Sequence, residues 1–171
     1  MNVGQVFGLI FITLMTAAGL AALLVMLAAL LPRATARSKH ALLQSPRRAF
    51  FVGLANYIFL GGIALLLLNA GDVPALLGLL LLGALLVVTA PGLAGLARLT
   101  GQRLADMRHA DWSPFKQLLW GAVTLEIAAV GLPFFGWFVV APALLATAFG
   151  AAVIAWRSRK SEIESLPERS E

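Results

Sequence analysis

The sequence contains no cysteine and a single tyrosine. Without Cys there is no disulfide, no thiolate nucleophile, no cysteine-held zinc and no iron–sulfur cluster. Charge is scarce too. Of the 171 residues, 12% are Asp, Glu, Lys or Arg, about half the share of an average soluble domain. That excludes an ordinary soluble enzyme and a disordered chain. What is abundant is apolar: 60% of the residues, with a mean hydropathy of +0.90. In so apolar a chain the net charge of +5 reads as membrane topology rather than nucleic-acid binding.

No charge precedes Arg33, and 6–31 is a long apolar run. Uncharged runs follow at 49–70 and 73–97, and 117–156 carries one charge, Glu126. As a single helix that last stretch would reach about 60 Å, about twice the hydrocarbon thickness. Gly131-Leu132-Pro133-Phe134-Phe135-Gly136 interrupts it: Pro133 disfavours helix at Leu132, and the glycines supply turn freedom. The reading is an all-α integral membrane bundle of five transmembrane helices, at about 6–31, 49–70, 73–97, 117–132 and 137–156. These form one domain, 1–156, and 157–171 reads as a disordered cytoplasmic tail.

Charge placement tests the count. With five spans, 32–48, 98–116 and 157–171 share one side, and they hold all thirteen Lys and Arg residues. The positive-inside rule then places the N-terminus outside and the C-terminus in the cytoplasm, in a bacterial inner membrane. Four spans would put Arg157, Arg159 and Lys160 outside. The first run is too long, and its flank too poor in positive charge, for a cleaved signal peptide. Leu99, Leu104 and Met107 allow the third helix to run on along the membrane surface.

Two of the basic segments end alike. Ser45-Pro46-Arg47-Arg48 leads into the second span and Ser113-Pro114-Phe115-Lys116 into the fourth. Ser suits an N-cap and Pro the first helical position. At the same offset of 68 residues Gly53 matches Gly121, and Pro74-Ala75-Leu76-Leu77 matches Pro142-Ala143-Leu144-Leu145. This suggests a parallel repeat of two helical hairpins, 45–97 and 113–156, although the registers of the hairpin ends disagree. Small residues every fourth position, Ala143, Thr147, Ala151 and Ala155, and Thr13, Ala17 and Ala21, mark helix-packing stripes.

Proline before a basic residue, an early helix glycine, Leu132-Pro133-Phe134-Phe135-Gly136-Trp137 and Phe149-Gly150-Ala151 form a pattern. It resembles small polytopic bacterial membrane domains, which occur alone or attached to polymer-forming proteins of the bactofilin type. The resemblance covers about residues 45–156. It implies a helical membrane domain without an assigned activity or catalytic residue. The β-helix that would polymerise is not part of this sequence.

Glu126 is the one ionisable side chain inside a span. Ten residues beyond Lys116, it is expected about 15 Å deep, near mid-membrane. With no basic residue in any span, it is expected to be a neutral carboxylic acid sharing hydrogen bonds. Asn56, Thr89, Thr124 and Thr147 count to similar depth, so the five residues are expected to form one intramembrane polar layer, with Asn56 or Thr89 the partner of Glu126. Such a layer serves as an ion, proton or substrate site, as interhelical glue, or as a partner contact. Helix breaks at Pro91 and Pro142 would suit transport.

Arg47, Arg48, Lys116 and Arg157 are expected at the head groups of anionic lipid. The tryptophans read as interfacial belts. His40 and His109 lack ligand partners at metal-binding spacing, so no metal is expected, and no cofactor and no nucleic acid. No Ser-His-Asp set, zinc-protease motif, phosphate loop or dinucleotide fingerprint occurs. The expected function is non-enzymatic: a structural or accessory subunit or scaffold, partnered by lipid and by another membrane protein or its own copies. The alternative is a small transporter or channel subunit using Glu126.

Overall fold

The computed structural model describes residues 2–130 and 134–164, and these contain helices and no strand. The helices are α1 (Val3–Leu30), α2 (Pro32–Gln44), α3 (Pro46–Leu68), α4 (Asp72–Met107), α5 (Pro114–Val130) and α6 (Ala141–Glu164). A π-helical turn, Gly136–Val140, leads directly into α6. Proline opens α2, α3 and α5, where its missing N–H costs nothing. The Ser113 hydroxyl accepts the Lys116 backbone N–H at 3.3 Å. Ser45 precedes α3 in the same way but makes no side-chain cap. Gly71, with φ of 109°, forms the N-cap of α4, a backbone shape open to glycine and few other residues.

Three helical segments, Pro46–Leu68, Asp72–Met107 and Gly136–Ser158, are long and apolar enough to cross a membrane. Ala18–Leu30 and Pro32–Gln44 pass the same test together but bend by 104° between them. The molecule is therefore an apolar helical bundle with several segments of membrane-crossing length. α5 has 17 residues, fewer than the about 20 that a bilayer core asks of a helix normal to it.

Several sequence expectations change. The segment 32–48 is mostly a helix, α2, packed across α4 and α6. Thr35, Ser38, Ala41 and Leu42 form its buried stripe, three or four residues apart. α4 continues unbroken through Pro91 to Met107, so the proposed break at Pro91 does not exist. α6 runs to Glu164, so 157–164 is helix rather than disordered tail. Residues 165–171, and 131–133 of the break itself, lie outside the described residues. Phe134, just after them, holds φ of 64°, a strained position for a bulky side chain.

The core is built of small residues. The largest side chains under 2% exposed are Thr35, Thr89 and Ser38. Leu66 is 74% exposed and Ile58 68%. Lipid is as apolar as leucine, so hydrophobic burial gives helices no reason to associate there. Close backbone packing through small residues does. The glycines show where it occurs. A Cβ on Gly53 would strike the Ala146 carbonyl, and one on Gly150 the Ala49 carbonyl, fixing α3 antiparallel to α6. A Cβ on Gly101 would strike the Gln117 carbonyl, and one on Gly121 the Ala97 carbonyl, fixing α4 antiparallel to α5. Gly92 presses on Ala148 between the parallel helices α4 and α6.

These contacts give a common ruler along α4. Ala49 faces Gly150, two residues past Ala148, and so lies level with Ala94. Its counterpart at the 68-residue offset, Gln117, lies level with Gly101. The α5 pairing is thus displaced by about seven residues, or about 10 Å, toward the C-terminal end of α4. At the far end, Gly136 packs against Ala128 and Ala129 near the end of α5.

Candidate functional site

The basic segments converge on one end of this bundle. α2 lies against α4 at Gly95, where a Cβ would come within 3.1 Å of Ser38. The start of α5 lies against the end of α4 at Gly101. Arg48 at the start of α3 and Arg157 near the end of α6 line one cavity of about 240 Å³.

Two further cavities adjoin it around the last turns of α6. One of about 290 Å³, between α2 and α6, is lined by Arg37, His40 and Gln44 and shares Ile154 and Ser158 with the first. The other, of about 190 Å³, shares Arg37 and Ala155 with the second and is walled by Val88, Pro91, Ala152 and Trp156. The three form a band, cationic where α2, α3 and α6 meet and apolar where it runs between α4 and α6. Among the described residues, no acidic side chain lines it.

Of the expected head-group contacts, the structure brings Arg48 and Arg157 together. Arg47 is exposed and lines none of these cavities. Lys116 sits apart on α5, its Nζ 5.1 Å from the centre of the Trp112 ring, a cation–π contact. Arg37 and His40 were missed because hydropathy shows 32–48 only as polar. Their signal is the spacing Arg33, Arg37, His40, Gln44, one polar stripe on a helix whose other stripe is buried.

The expected polar layer is not a network. Thr89 donates its hydroxyl to the Leu85 carbonyl at 2.6 Å and lies 3.3 Å from the Tyr57 hydroxyl. Asn56 donates to the Val52 carbonyl at 2.7 Å, Thr124 to Trp120 at 2.7 Å, and Thr147 to Ala143 at 2.6 Å. Each satisfies itself on its own helix, four residues back. Tyr57, which the sequence reading passed over, makes an interhelical polar contact with Thr89, and its ring stands edge-on to Phe149 at 5.4 Å.

Glu126 has neither Asn56 nor Thr89 as a partner, and its Oε1 is buried without a hydrogen bond. Three residues beyond it on α5, Ala129 packs against Gly136 at the start of the π-helical turn. Glu126 lines none of the three cavities. Comparison with protein-family models, with curated proteins and with solved structures finds no match for this chain.

Proposed function

We propose that the chain is a non-enzymatic, five-span protein of a bacterial inner membrane, with its N-terminus outside, that serves as an accessory or scaffolding subunit. In this reading α1, α3, α4, α5 and α6 cross, and α2 lies at the cytoplasmic head-group layer. The gathering of the basic segments at one end supports the orientation. Scaffolding also suits the resemblance to membrane domains that anchor polymer-forming proteins.

The observation that carries the functional part is the close packing of the helix pairs. The helix pairs meet backbone to backbone at Gly53, Gly92, Gly101, Gly121 and Gly150, and the cavities lie around the outside of one end. A transporter needs a water-filled route to its ionisable group. The transport alternative retains one observation, the unpartnered Oε1 of Glu126. Proton flux into liposomes containing the purified protein separates the two. The accessory reading expects flux equal to that of empty liposomes, with Glu126→Gln indistinguishable from the parent. Flux that Glu126→Gln abolishes would establish transport instead.

A further inference from the structure

The band around the end of α6 has more definition than a diffuse basic surface. Arg37 comes from α2, Arg48 from α3 and Arg157 from α6, yet the cavity that Arg48 and Arg157 line shares Ile154 and Ser158 with one that Arg37 lines. Among the described residues none of the three is held in an ion pair, and no acidic side chain lines the band. Three guanidiniums without counter-charges favour an anion, and their planar donor pairs match phosphate oxygens. The compartment next to them is of another kind: beside Arg37 and Ser38 it is lined by Ala34, Val88, Pro91, Ala152, Ala155 and Trp156, and most of its surface is apolar. Pro91 has no N–H, so its turn of α4 adds no donor there. Charge at one end and an apolar slot at the other match an amphiphile.

We propose that this band binds one molecule of an anionic phospholipid: Arg37, Arg48 and Arg157 hold its phosphate, and an acyl chain enters the slot between α4 and α6. A phosphate alone would fill the cationic part and leave the apolar slot without a role. The assignment draws on the reading that this end of the bundle meets the head groups. Its test in detergent does not depend on which side of the membrane that end faces.

The test is native mass spectrometry of the full chain in mild detergent, with added phosphatidylglycerol or phosphatidylcholine. The expected result is one phosphatidylglycerol retained under conditions that strip phosphatidylcholine. Arg37→Gln/Arg48→Gln/Arg157→Gln should weaken that retention by about a hundredfold, roughly fivefold for each base. Arg33→Gln/Arg103→Gln/Arg108→Gln removes as much charge from exposed positions outside the band and should leave retention unchanged. If the first triple variant does not fold, Arg48→Gln and Arg157→Gln are read singly. Equal losses in both triple variants, or equal retention of the two lipids, overturn the site. Inorganic phosphate or glycerol 3-phosphate at millimolar concentration should not displace the lipid. Displacement by either would assign the band to a free phosphate and overturn the lipid.

Discussion

Glu126 sets the energetic question at the scale of one residue. A buried oxygen without a partner costs about 1–3 kcal/mol relative to a satisfied one, and Thr124, Thr147 and Asn56 spend their hydrogen bonds on their own helices. Removing the carboxyl therefore breaks no interhelical bond within the chain. Glu126→Leu is expected to raise the stability of the isolated protein in detergent by about 1 kcal/mol, the low end of that range because the residue is half-buried. A melting curve in detergent measures it, and a clear loss of stability would mean that Glu126 holds a contact inside the chain. Should the same substitution release a co-purifying subunit, the carboxyl belongs to that interface.

At the scale of the helices, backbone contact is the main term. Gly53→Ala and Gly121→Ala each add one methyl against a carbonyl that cannot yield without parting two helices. Each is expected to cost about 1–3 kcal/mol, the usual penalty for overpacking. Gly61, Gly62 and Gly83 meet nothing within 4 Å. There the same change should be neutral or stabilise by up to about 1 kcal/mol through helix propensity. Thermal unfolding of this set in detergent checks the contrast, and equal effects at the two groups would refute the packing scheme.

The two far turns differ in chemistry. The turn before α4, with Asn69, Gly71 and Asp72, is polar. The segment leading into α6 is aromatic: Phe134, Phe135, Trp137 and Phe138 are all exposed. Aromatic side chains favour the interfacial layer. A cysteine at Phe135 should therefore react with a membrane-impermeant maleimide from the same face as one at Val73, and more slowly. Faster reaction at 135 would contradict the interfacial placement of this aromatic segment.

Across the whole molecule, much was legible in sequence and some was not, for physical reasons. The helical class and the several long apolar segments follow from charge-free runs, because lipid exposure demands apolar side chains all round. The small residues four apart were visible too. Which of them face each other was not: Ala49 and Gly53 meet Ala146 and Gly150, and of the stripe Ala143, Thr147, Ala151 and Ala155 the last two are buried and the first two half-buried. Pairing is a property of two helices, and the offset between the α3 and α5 pairings follows from it. α2 escaped because its buried stripe, Thr35, Ser38, Ala41 and Leu42, holds one large apolar residue. The cationic band escaped because it is assembled from three helices distant in sequence.

The account as a whole stands on one end of the bundle being cytoplasmic and the other not. The absence of native cysteine makes this directly measurable, since any introduced thiol is the sole target. Val73→Cys and Arg108→Cys place one at exposed positions near opposite ends of α4. In intact cells a membrane-impermeant maleimide is expected to label Val73→Cys and spare Arg108→Cys, and inverted membrane vesicles are expected to reverse the pattern. Labelling of both positions from the same face would contradict the account.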